Sequence, residues 1–571
     1  MNGASDTSAV LRPPREVMRL SRLGRFYPTR LSFARILVRR MARERWRIQP
    51  AVRELDDDGF GRVSYHVHTP SGVLGFAAFS HQLDPADRTD RVIAERWDAS
   101  FALTVEPPTR ADLDRLHENV PRQEAGRCGA REIVLSRANR SVRLFDEVVA
   151  SLADGRQPSL DDVGRVGYLM RTTAVYGNGK FGLADFEQVR RRGILTLPFQ
   201  AEMLTVYLIR HFSLELVDHL AVRRGGFRAV SLDGPRRRAL GIGNATGLGM
   251  APFLVSHPQL IDRWVRMRET ALARVMEVEQ ASPGELARFR TLLARARTHV
   301  AEWRPQVGDA GLARRLGTVE RRLEELERLV AAEGDGELLL GFRPWTALAA
   351  WAGDDTETAE LLNSILIELY PERVDDLETT AGSDEREETD PAMPIGALRE
   401  TIEARYGWAL EVEFDRPESQ GLFWYHSEEK EEPRLGFRHE EPGAERELRL
   451  GIARQVAHLH RTLDREDPAR PTGRFLRENP GFRKIVRRIQ SLEDSPYAEI
   501  RDNLLDRSCE PADLLRGKLS MLGASRFDPK SLLWTRVTFF QGAPLANELE
   551  RSDADDWGFA TTAAAGVGTI A

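Results

Sequence analysis

The sequence predicts a helix-rich α+β protein in which a large helical body carries two small antiparallel β-sheets. Three observations predict it. Short runs that alternate apolar and polar residues occur within Gly59–Val105 and recur after residue 397. Helical periodicity dominates Arg110 to about Tyr370, and an acidic stretch poor in apolar residues separates the two parts.

At 571 residues the chain is longer than a single core sustains, and 41% hydrophobic against 30% charged residues is a balance that folds. Several domains are therefore expected. The 2 cysteines, Cys128 and Cys509, have no neighbour at CxxC spacing, which excludes a disulfide framework or a cysteine-rich zinc site. Apolar runs such as Ile194–Ile209 are interrupted by Gln200 and Glu202 and fall short of a spanning helix, so a soluble, cytoplasmic protein is expected.

Residues 1–49 form a basic arm with twelve arginines against Asp6, Glu16 and Glu44, about +9, while the rest of the chain carries about −15 of the net −6. Leu31–Trp46 patterns as an amphipathic helix with Phe33, Ile36, Leu37 and Met41 on one face. Such an arm either grips nucleic acid or an anionic membrane surface, or lies on the acidic body of its own chain or a neighbouring subunit. The lack of interleaved aromatics favours the second reading.

Residues 50–109 are expected to form the first small sheet. Val63–His68 and Val73–Phe79 flank Thr69-Pro70-Ser71-Gly72 as a hairpin, and Ser100–Val105 adds a third strand closed by Pro107 and Pro108. Residues 110–370 form the helical body. Within it Ser282-Pro283-Gly284-Glu285 is a capping box opening a helix to about Trp303. Leu312, Leu316, Val319, Leu323, Leu326 and Leu329 stripe a second helix, which packs on the first as a hairpin or makes a subunit interface.

Residues 371–396 read as an acidic linker or loop, and 397–556 as a second sheet with helices. There Leu410–Phe414, Gly421–His426 and Arg434–Arg438 are strand candidates, and Trp534–Gly542 reads as a buried strand closing on a turn. Residues 557–571 are a flexible tail rich in small residues. Tyr65-His66 before Leu74-Gly75-Phe76 is echoed by Tyr425-His426 before Leu435-Gly436-Phe437, from a pseudo-duplication or, as short motifs more often are, from coincidence.

Chemistry is expected at two glycine-rich loops. The first is Arg171-Thr172-Thr173-Ala174-Val175-Tyr176-Gly177-Asn178-Gly179-Lys180-Phe181-Gly182, in which glycines let backbone amides approach a ligand and Arg171 and Lys180 supply positive charge. Thr172 and Thr173 add hydroxyls, and Asn178 tolerates the left-handed region. Tyr176 and Lys180 stand at Tyr-x-x-x-Lys spacing, but Gly-Asn-Gly between them argues against the helix that a dehydrogenase pair needs.

The second loop, Gly241-Ile242-Gly243-Asn244-Ala245-Thr246-Gly247-Leu248-Gly249, follows Arg236-Arg237-Arg238 and precedes a helix, which suits an anion. It matches neither a Walker loop nor the dinucleotide fingerprint. Its small residues equally suit close backbone packing. The substrate-binding candidates are thus Arg171, Thr172, Thr173, Asn178, Asn244 and Thr246, and the acid–base candidates Tyr176, Lys180 and His257.

Metal binding is not expected. His66 and His68 share a strand face with His81 in reach, yet no carboxylate completes a set, and His458 and His460 at i and i+2 face apart. No Gly-x-Ser-x-Gly elbow occurs, and Cys509 has no histidine near it in sequence. No cofactor is named, since organic cofactors are also held by loops without short motifs. The sequence points to an enzyme of lyase or isomerase type that acts on a small carboxylate- or phosphate-bearing molecule by acid–base chemistry. The alternative is a homo-oligomeric scaffold that meets partners through its leucine-rich helices and basic arm.

Overall fold

The structure, a computed structural model, describes residues 10–84, 96–119, 131–177, 190, 192–247, 258–303, 310–331, 337–382, 389–416, 424–427, 433–435, 447–449, 452–492, 495–498, 511–529, 534–551 and 555–561. The strands in chain order are β1 (Arg47–Leu55), β2 (Gly61–Thr69), β3 (Gly72–Ser80), β4 (Ala99–Thr104), β5 (Glu132–Arg140), β6 (Tyr168–Gly177), β7 (Gly241–Gly247), β8 (Trp424–Ser427), β9 (Pro433–Leu435), β10 (Glu447–Arg449), β11 (Ala524–Pro529) and β12 (Trp534–Phe539). Among the helices, α1 spans Phe33–Arg43, α2 Arg110–Asn119, α3 Gln200–Gly225, α4 Pro258–Met276, α5 Pro283–Trp303, α6 Ala310–Ala331, α7 Pro344–Ala352, α8 Thr356–Leu369, α9 Ile395–Leu410, α10 Ile452–Leu463 and α11 Arg483–Ser491.

These elements form two units, each assembled from separate stretches of chain. Pro28–Gly247, Ala281–Leu338 and Leu519–Ala571 make a sheet unit; Met1–Tyr27, Leu248–Gln280 and Leu339–Lys518 make a helical unit. The units therefore interleave along the chain, where the sequence suggested a serial order of arm, sheet, body, linker and second sheet.

The sheet unit overturns the expected pair of small antiparallel sheets. Its hairpin, β2 with β3, and the added β4 form where the alternation predicts them, but they are part of a nine-stranded mixed sheet of order β1-β2-β3-β4-β5-β6-β7-β12-β11. Neighbours pair antiparallel except β6 and β7, which run parallel. Long-range pairing enlarged the sheet: β7 meets β12 with Asn244 opposite Val537, a partner no local pattern can name.

Helix α3 covers one face, with Phe212 edge-on to Phe101 at 5.7 Å and nearly all its apolar residues buried. On the other face Leu113 and Leu116 of α2 pack against Ala77, Phe79, Ala102 and Leu135. The predicted apolar face of α1 is buried, as are its Arg35 and Arg39, which with Arg30 just before the helix pair with Asp555; Arg35 lies 4.9 Å from the Trp557 ring. Helices α5 and α6 pack as a hairpin; Leu312, Leu316, Val319, Leu323 and Leu326 are buried, while Leu329 turns outward and Val330 takes its place.

In the helical unit, α8 is buried along almost its whole length although it carries Glu357, Glu360 and Glu368. Arginines make this tolerable. Arg12 donates through Nε and Nη2 to both oxygens of Glu269 at 2.7 Å and through Nη1 to Glu360 at 2.9 Å. Arg22 and the fully buried Arg268 also donate to Glu360. Glu357 receives Arg25 Nε at 2.7 Å, Arg516 Nη1 at 2.6 Å and the Tyr27 hydroxyl at 3.2 Å. Burial alone would raise the Glu360 carboxyl; Arg12, Arg268 and Arg22 outweigh it and hold it well below the usual range.

A second cluster joins α9, α10 and α11 through Leu398, Ile402, Tyr406, Val456, Leu459 and Ile489. The stretch read as an acidic linker begins with helical turns, Pro371–Val374 and Asp375–Ala381, whose Leu377 and Ala381 are buried; residues 383–388 lie outside the described ones. Leu410 ends α9, so no strand begins there. The short strands β8, β9 and β10 pair antiparallel as a separate sheet of order β10-β8-β9. Tyr65-His66 and Tyr425-His426 each lie on a strand paired antiparallel with the next one, β2 with β3 and β8 with β9, but among the described residues the first hairpin belongs to a nine-stranded sheet and the second to a three-stranded one. No described helix is long and apolar enough to cross a membrane.

Candidate functional site

The two glycine-rich segments do not begin as loops. Residues 168–177 and 241–247 are the strands β6 and β7, side by side and parallel, with Arg171 opposite Gly243 and Thr172 opposite Asn244. The chain passes from β6 through α3 to β7, a strand–helix–strand crossover, and both strands leave the sheet in the same direction. β5 and β12 flank the pair antiparallel, so the direction of the sheet changes here.

The substrate-binding candidates fall in distinct places. Thr172, 1% exposed, donates to the Gly243 carbonyl at 3.3 Å and accepts from Asn244 Nδ2 at 2.8 Å. This exchange ties the two parallel strands together. Arg171 is buried at 3% exposure within the same pair. Thr173 and Tyr176 lie in β6 and Thr246 in β7, described in backbone alone. Asn178, Lys180 and His257 lie outside the described residues.

Glycine in β7 has a packing cause. A Cβ on Gly241 would stand 2.2 Å from the Phe539 carbonyl oxygen, and one on Gly243 would stand 2.7 Å from the Tyr168 ring. The neighbouring basic cluster is neutralised: Arg236 pairs with Asp233, Arg237 with Asp218 and Arg238 with Glu548. The charge that the sequence suggested for the second segment is thus spent on the chain's own carboxylates.

Two residues near the pair escaped the sequence reading. Tyr168, at the start of β6, covers Gly243, and Arg526 on β11 reaches across to donate to the Gly164 carbonyl at 2.6 Å. Burial lowers the Arg526 guanidinium, with Asp528 opposing. Arg526 lies far downstream and carries no local signal.

The sequence matches no family model, and no curated protein or solved structure resembles it at a significant level. The residues themselves must carry the argument. Among the described residues no three histidine, cysteine or carboxylate side chains gather to hold a metal. His66 and His68 stand 6.3 Å apart, ring to ring, but His81 turns instead to His117, 5.9 Å away, and to the Ser100 hydroxyl at 2.8 Å. His460 meets Glu403, and His458 packs on Phe482. Cys128 and Cys509 lie outside the described residues.

Proposed function

We propose that the chain is an enzyme acting on a small carboxylate- or phosphate-bearing molecule by acid–base chemistry at the shared carboxyl ends of β6 and β7. The parallel pairing of these strands supports the reading, because it puts the carboxyl ends of both glycine-rich strands at one end of the sheet. Tyr176 is the penultimate residue of β6, and Asn178 and Lys180 follow it by two and four residues in sequence. His257 follows β7 by ten residues. In this reading Lys180 meets the anion, and Tyr176 and Lys180 supply proton transfer for an elimination or isomerisation, while Arg171, buried six residues before the end of β6, lies too far back to reach it.

Native mass spectrometry beside the denatured mass tests it. A retained anionic molecule, lost in Lys180→Ala with circular dichroism unchanged, supports the site. The reading fails if no anion is retained and neither phosphate nor citrate gives a saturable thermal shift. The scaffold reading is favoured by one observation, the packing role of Gly241 and Gly243. It predicts that the subunit number, and not ligand retention, changes on substitution.

A further inference from the structure

The helical unit contains a cleft of about 590 Å³ that the proposal above does not use. Its walls come from α4, α7, α8 and the chain around Val10–Arg22. The volume is that of a small-molecule site. Leu272 and Met276 of α4, Ala349 of α7, and Leu362 and Leu366 of α8 provide an apolar lining.

The charges on the lining fall into two groups. Arg12, Arg22, Glu16 and Glu269 are paired with one another or with Glu360, so this end is saturated and offers little to a guest. Arg343 and Glu277 differ. Both are exposed at the cleft and so open to a guest; neither has an ion-pair partner among the described residues, and they do not pair with each other although the Arg343 amide donates to the Glu279 carbonyl at 2.8 Å.

Arg343 is also held in an unusual way. Its backbone has φ 55 and ψ 62, the left-handed region that residues with a side chain seldom adopt, directly before α7. Its guanidinium lies 5.4 Å from the Phe342 ring. A guanidinium near a ring face keeps its N–H edges able to donate to a carboxylate. Strain of this kind persists where the surroundings impose it, and it gathers at ligand sites.

An unpaired guanidinium and an unpaired carboxylate that line one cleft without pairing with each other can each take one end of a guest that carries both opposite charges. The apolar lining asks for a hydrocarbon body on that guest. We propose that this cleft binds an α-amino acid with an apolar side chain, its carboxylate on Arg343, its ammonium on Glu277 and its side chain against Leu272, Met276 and Leu362. Asn363, whose Nδ2 makes one long bond of 3.4 Å to Glu360, keeps hydrogen-bonding capacity on the cleft wall for the same guest.

Isothermal titration calorimetry of the full chain with L-phenylalanine and L-leucine tests the proposal. Saturable binding is expected, weakened at least about tenfold by Arg343→Gly or Glu277→Gln, because each removes a charged hydrogen-bond partner. Glycine adopts positive φ freely, so Arg343→Gly removes the cation with the fold kept, as an unchanged melting curve will show. Ala349→Phe, on an exposed residue, fills the cleft and abolishes binding. 3-Phenylpropanoate and 2-phenylethylamine, each lacking one charge, bind at least about tenfold more weakly. Absence of saturable binding at millimolar amino acid, wild-type affinity in any of the three variants, or equal affinity for a single-charge analogue overturns it. None of these outcomes bears on β6 and β7.

Discussion

Glu360 shows how one buried carboxylate is made tolerable. Three guanidiniums surround it, and removing its charge would leave Glu269 as the carboxylate partner of the fully buried Arg268 and weaken the hold on Arg12 and Arg22. Glu360→Gln is therefore expected to destabilise the protein by about 3–5 kcal/mol, read from the urea midpoint. His81 makes the opposite kind of prediction. Burial, then the neighbouring charge of His117, lower its pKa to about 4. The unfolded chain takes up the proton near pH 6.5, and the folded chain refuses it until about pH 4. Stability should therefore fall as pH drops through that window, and His81→Gln should flatten this part of the curve. Glu215 acts lower down. Burial opposes its ionisation, but His211, Tyr65 and Arg53 hold it at about 2. Its contribution is complete above about pH 5 and is lost as pH falls toward 2.

Elements show where the sequence was readable. The alternation of β2, β3 and β4, the apolar face of α1 and the leucine stripe of α6 are local periodicities, and each becomes the element its period implies. β6 and β7 were not legible as strands because Gly177, Gly241, Gly243 and Gly247 carry no side chain to alternate, and glycine is the usual mark of a turn. The reason for two of these glycines, a carbonyl of β12 and the Tyr168 ring, comes from residues remote in sequence. Gly243→Ala should accordingly cost about 1–3 kcal/mol by overpacking, seen as a lower melting midpoint. Asn244→Ala should cost about 1 kcal/mol for its lost bond to Thr172. Of the site candidates, Arg171, Thr172 and Asn244 lie on one strand pair, where the sequence reads loops, and the bond between Thr172 and Asn244 joins residues too far apart in sequence to be read locally.

At the scale of the molecule, the chain crosses between its two units five times, at the boundaries after residues 27, 247, 280, 338 and 518. Neither unit is therefore a continuous piece that can be cut out. Residues 28–247 expressed alone hold β1 to β7 but lack β11 and β12, which leaves β7 as an open edge with unpaired backbone donors and acceptors. This fragment should aggregate or lack a cooperative melting transition, whereas the full chain should melt cooperatively; a soluble fragment with a sharp transition would show that β7 needs no partner.

The pairing of β7 with β12 also has a consequence in time. Asn244 emerges from the ribosome about 290 residues before Val537, which at roughly 5–20 residues per second is about 15–60 s of synthesis. Throughout that interval the seven earlier strands have no terminal partner on the β7 side. Closure of the sheet is thus postponed until β12 has been made, and the nascent chain should be a client of holdase chaperones until then.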